Sequence, residues 1–163
     1  MASRAGEVEE EELVFFANWQ SQAGRKLLRH TTDAAAAASG RRYLFDLQDA
    51  TVRVRGFFAA VECAPGRAAT VEVACGLEGL ADVFAVAAEE EGEEERVREY
   101  GQAIRAAVSF LAQAQAQPGQ GPPAAEGGFG HGLGMPTQRI DVTGHVASAY
   151  LKLLELLDAA PEP

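Results

Sequence analysis

The stretch from Tyr43 to Cys75, YLFDLQDATVRVRGFFAAVECAPGRAATVEVAC, restricts the fold more than any other part of the chain. Apolar and polar residues alternate through three consecutive runs separated by turn residues, the period of a strand rather than a helix. A first hairpin turning at Asp49-Ala50 and a second at Pro65-Gly66 set Phe45 against Val54, Leu47 against Val52, Phe58 against Val73 and Ala60 against Val71. All of these share one face. The same registers put Asp46 opposite Arg53 on the other face, a pair contributing up to about 1 kcal/mol. A one-residue slip in either hairpin would turn its apolar set to solvent, so the two hairpins agree on a core face. The expectation is a small antiparallel meander packed by a helix that contains Phe16 and Trp19.

The flanks read as helix and linker. From about Glu9, residues Leu13, Phe16, Ala17, Trp19, Gln20, Ala23 and Leu27 recur at spacings of three and four. Glutamates precede this run and Arg25, Lys26, Arg29 and His30 close it, the order a helix dipole favours. Thr31-Thr32-Asp33 offers a cap for a short continuation through Ala34–Ala38. Residues 83–88 read equally as a fourth strand or a buried helical turn. A second long helix starts near Glu93, with Val97, Tyr100, Ile104, Ala107, Val108, Leu111 and Ala114 on one face. The fold class is therefore α+β: an N-terminal helix, the meander, then two C-terminal helices. Residues 1–8 read as a disordered tail and 9–117 as the α+β domain. Residues 118–138, rich in Gly, Pro and Gln, read as a flexible linker, and 139–159 as an amphipathic helix.

That last helix carries Val142, Val146, Tyr150, Leu153, Leu154 and Leu157 on a stripe too apolar to face water. It either folds back on its own domain or meets another chain, and a tether favours the former through effective concentration. With Arg53 and Arg55 of the meander, these residues are the candidate partner-binding set.

Charge narrows the partners further. The net charge of −10 comes mainly from glutamate clusters at 7–12 and 89–95, whereas residues 25–67 are mildly basic. An acidic chain disfavours non-specific nucleic-acid binding, while a basic centre admits an acidic protein segment. No run of about 20 apolar residues exists to cross a membrane. MASRAGEVEEEE lacks the pattern of a signal peptide. The reading is a soluble intracellular protein, cytoplasmic or nuclear. Cys63 and Cys75 are not cross-strand neighbours, so they read as thiols rather than a disulfide.

Chemistry has little to work with. The linker glycines lack a following GK[ST], and His30, His131 and His145 have no partner at ligand spacing in the sequence. The serines lie outside any G-x-S-x-G context. No catalytic, metal or cofactor residues are assigned.

Leu47-Gln48-Asp49 ends a run at a turn, Gly56 supplies a residue without Cβ for a bent strand, Phe58 is apolar two positions on, and Glu62 is acidic. These positions resemble the first half of an Sm or LSm domain, over roughly residues 12–88. Gly66 stands where that family has an RNA-contacting asparagine, the Leu47-to-Gly56 interval is one residue longer, and no Arg-Gly motif follows at 76–86. The chain is thus most similar to the Gemin branch, which implies a protein-binding scaffold of the survival-motor-neuron complex rather than a uridine reader. The leading expectation is a non-catalytic interaction subunit of a larger assembly, bound by strand-edge or helix packing in a homo- or hetero-oligomer. Two alternatives are a small enzyme or ligand binder with a pocket between sheet and helices, and a purely helical assembly adaptor.

Overall fold

Where alternation pointed to strands, the backbone is helical. A computed structural model of the chain describes residues 10–54, 57–58, 69–119 and 122–159. Helix α1 (Glu10–His30) is followed by α2 (Ala34–Asp49), which runs on as a π-helical turn, Ala50–Val54. The long helix α3 (Thr70–Ala88) leads into α4 (Glu94–Ala114). A short hairpin, β1 (Gly130–Gly132) and β2 (Met135–Gln138), precedes α5 (Ile140–Ala159).

The α+β expectation is therefore corrected: the described part of the chain is mostly helical and its sheet is one two-stranded antiparallel ladder outside the expected meander. Leu44, Phe45, Gln48 and Thr51 are buried, the spacing of one helix face. Two of those four are polar. Gln48 Nε2 donates to Ser21 Oγ at 2.9 Å and Thr51 Oγ1 to Gln48 Oε1 at 3.1 Å, so polar side chains occupy core positions by satisfying one another. Leu47-Gln48-Asp49 is helix rather than turn, so the first hairpin of the expected Sm-like meander does not form. Arg53 pairs not with Asp46 but with Glu99 at 2.6 Å and Asp49 at 3.5 Å. Arg55, Gly56, Ala60, Glu62, Cys63 and Gly66 lie outside the described residues.

Asp33 caps α2, its Oδ1 accepting from the amides of Ala35 at 2.8 Å and Ala36 at 3.0 Å. The resulting tight connection makes α1 and α2 antiparallel: Ser21 meets Gln48, and a Cβ at Gly24 would lie 2.6 Å from Leu44. Across the next interface Val14 faces Gly76 and Asn18 faces Gly79, so α1 and α3 run parallel. His145 reaches Glu78 and Lys152 reaches Asp82, which makes α5 parallel to α3 as well. Helices α1, α3 and α5 thus form one layer with α3 in the middle, and α2 and α4 pack behind it. Being enclosed, α3 is apolar nearly all round, with Val73, Leu77, Leu80 and Val83 fully buried. Helices α2 and α4 are joined at Asp49, which accepts from Tyr100 Oη at 2.7 Å and Arg96 Nη2 at 3.0 Å, while Arg96 lies 4.7 Å over the Phe45 ring.

Within the stretch read as linker, residues 123–125 make a 3₁₀ turn and Gln115 bridges Phe129 ahead of the hairpin. Phe129 is buried, edge-on to Tyr150 of α5 at 6.1 Å. Helix α5 docks on its own chain, burying Val142, Val146 and Ala149 completely.

Candidate functional site: a buried ionic seam between two open helix faces

Charge inside the three-helix layer is concentrated on α3. Glu78 and Asp82 occupy successive turns and are both buried. Asp82 accepts from Arg25 Nη1 of α1 at 2.7 Å and from Lys152 Nζ of α5 at 2.6 Å. One turn earlier, Glu78 Oε2 lies 2.9 Å from His145 Nδ1 of α5 and 3.4 Å from Asn18 Nδ2 of α1. Each acid therefore grips both neighbouring helices. Such groups cost several kcal/mol each to desolvate and are held by hydrogen bonds at Glu78 and by paired charge at Asp82, so what they fix best is register: α1 and α5 cannot slide along α3 without stranding a buried acidic group.

Packing at Gly79 sets the same level. A Cβ there would come 2.7 Å from the Asn18 Cα, so α1 and α3 approach backbone to backbone at this point. Beside Glu78, Cys75 is fully buried, and the ligand atoms of Cys75, Glu78 and His145 all lie within 4.8 Å of one another. Burial first, then the charges of Glu78 and Asp141, push the Cys75 thiol up to about 12, which keeps it protonated and poorly nucleophilic at neutral pH.

The outer sides of the layer are apolar and open. On α1, Phe16 is 50% and Trp19 61% exposed; on α5, Ile140 is 93% and Leu151 62% exposed. Phe16 and Trp19 were expected in the core, but α1 buries Val14, Ala17, Asn18 and Ser21 instead. The polar members of that face hid it. On each outer helix one series of exposed positions recurs at alternating intervals of four and three, beside further exposed positions such as Leu27 and Leu157: Glu12, Phe16, Trp19, Ala23, Lys26 and His30 on α1, and Ile140, Gly144, Ala147, Leu151, Leu154 and Asp158 on α5. That is the spacing of a helix–helix packing seam.

The candidate partner-binding residues divide between core and surface. Val142 and Val146 are core, Tyr150 and Leu153 are half-buried, and Leu154 and Leu157 are exposed. Arg53 lines a cleft of about 380 Å³ with Val52, Phe58, Glu99 and Ala103, where Glu99 neutralises it. His145, read alone as a scattered histidine, meets a carboxylate 67 residues away. The signal available for that site was the one-turn spacing of Cys75 and Glu78. Among the described residues no helix is long and apolar enough to cross a membrane. Comparison with protein-family models, curated proteins and solved structures finds no match to this chain.

Proposed function

We propose that this protein is a non-catalytic assembly module that adds helices to the two edges of its three-helix layer, and that the occupant of each edge is a second copy of the chain. The observation that carries the reading is the match between the two open faces. Asn18 is level with Gly79, and Glu78 with His145, which fixes the height of α1 relative to α5. If α5 of one copy lies parallel beside α1 of another at that height, Phe16 meets Gly144, Trp19 meets Ala147 and Ala23 meets Leu151. Each of these three contacts sets a large residue against a small one, while Glu12 falls at Ile140 and Lys26 at Leu154.

Such an interface joins unlike faces. It closes into a ring or continues as a stack, according to the rotation per copy. Stacked helical units of this kind bury in their neighbours what one unit leaves exposed. The buried ionic seam supports this role by holding both edges at one height. Sedimentation velocity across a concentration series tests the reading. The full chain is expected to gain mass in whole multiples of the monomer, and Trp19→Glu or Leu151→Glu to remain monomeric with an unchanged fold. A single monomeric species at every concentration would remove the second copy as the occupant.

A further inference from the structure

We propose that Cys75, Glu78 and His145 form a binding site for a divalent transition-metal ion of zinc's class. Cys75 and Glu78 lie one turn apart on α3 and project to the same side, toward His145 in the first turns of α5. They supply a thiolate, a carboxylate and an imidazole, donor types that zinc takes together. Their ligand atoms already lie within 4.8 Å of one another, with His145 Nδ1 2.9 Å from Glu78 Oε2. An ion with bonds of about 2.0–2.3 Å in a tetrahedral arrangement holds its donors roughly 3.3–3.8 Å apart. The histidine and carboxylate must part by about 0.5 Å and the sulfur must close by at most about 1.3 Å, a change within reach of side-chain rotation.

Charge balance favours the ion. Thiolate and carboxylate together neutralise a divalent cation, so the filled site places no net charge in the interior; the thiol proton leaves to solvent, and the Nδ1 hydrogen that faces Glu78 is given up so that the neutral imidazole carries its hydrogen on Nε2. Asn18 Nδ2, 3.4 Å from Glu78 Oε2, is placed to orient the carboxylate from outside the ligand set. His145 keeps 29% of its side chain exposed, which gives an ion a way in. The other carboxylate of the seam does not compete, because Asp82 is held by Arg25 and Lys152.

Cobalt(II) titration of the full chain in a Cys63→Ser background tests the site through the thiolate-to-cobalt charge-transfer band. Saturation at one ion per chain, displacement by Zn²⁺, and loss of the band in Cys75→Ala are expected. If Cys75→Ala does not fold, ¹⁵N imidazole spectra of the parent decide. Zn²⁺ should move Nδ1 of His145 and leave His30 and His131 in place. Absence of a charge-transfer band in the folded parent, or an unmoved His145 resonance at saturating Zn²⁺, overturns the proposal.

Discussion

Gly79→Ala sets two well-characterised effects against each other. In an isolated helix the change is favourable by about 0.8–1.0 kcal/mol, because alanine is the better helix former. Here the new methyl would lie 2.7 Å from Asn18 Cα and 3.2 Å from Gln48 Nε2. Carbon atoms sit comfortably at about 3.5–4.0 Å, so α1 must retreat by roughly 1 Å. Overpacking of this sort costs about 1–3 kcal/mol. The retreat also stretches the 3.4 Å contact from Asn18 to Glu78 past hydrogen-bonding range; Glu78 Oε2 keeps His145 Nδ1 at 2.9 Å, so the loss adds about 0.5–1.5 kcal/mol. After the propensity gain is subtracted, a net loss of about 0.5–3.5 kcal/mol remains. Gly101→Ala on α4 is the control: a Cβ there meets Phe84 and Arg105 at an ordinary 3.7 Å, so it should stabilise by about 0.5–1 kcal/mol. Urea unfolding followed by far-UV circular dichroism measures both. A Gly79→Ala protein as stable as the parent would refute the backbone-to-backbone crossing of α1 and α3.

Asp82→Ala should cost about 1.5–3 kcal/mol, since it leaves Arg25 and Lys152, both half-buried, without their shared carboxylate, and a loss under about 1 kcal/mol in the same assay would count against the seam. Phe58→Ala should lose about 3–5 kcal/mol, whereas Trp19→Ala, measured on dilute monomer, should stay within about 0.5 kcal/mol because its ring faces solvent; the reverse ranking would restore Trp19 to the core. Stability of the metal-free protein should decline in alkaline solution. The folded Cys75 thiol is raised from 9.0 to about 12, so its contribution is complete below pH 9, where the unfolded thiol is also protonated, and is lost as pH rises toward 12. Cys75→Ala should flatten thermal melts recorded over that window, and an identical pH profile would contradict the assignment.

The sequence made some helices plain and concealed others for identifiable reasons. Helices α1 and α4 begin in glutamates and carry long three-four periods, so their place is visible without coordinates. Helix α3 is enclosed on every side and has no polar face to generate a period, and the β-branched Thr70, Val71 and Val73 at its start imitate a strand. Helix α2 was hidden by Gln48 and Thr51, polar residues in core positions whose mutual hydrogen bonds cannot be read one residue at a time. The same effect inverted α1: its apolar stripe through Phe16 and Trp19 faces outward while Asn18 and Ser21 face inward. Of the site, the apolar character of α5 was legible. Its division into an inner face at Val142 and Val146 and an outer one at Leu151 and Leu154 depends on where α3 lies. The Cys75, Glu78 and His145 cluster spans two helices and therefore exists only once α5 has docked.

Mixing two edge-blocked variants tests the proposed assembly most directly. Trp19→Glu closes the α1 face and keeps α5 intact, while Leu151→Glu does the opposite, and both positions are more than half exposed, so neither should disturb the fold. Each variant alone should sediment as a monomer. Mixed in equal amounts, they should form a one-to-one dimer that grows no further, because the intact α1 face of one meets the intact α5 face of the other and both remaining faces are blocked. Two monomers that ignore each other on mixing, while the parent chain associates, would contradict the pairing of α1 with α5.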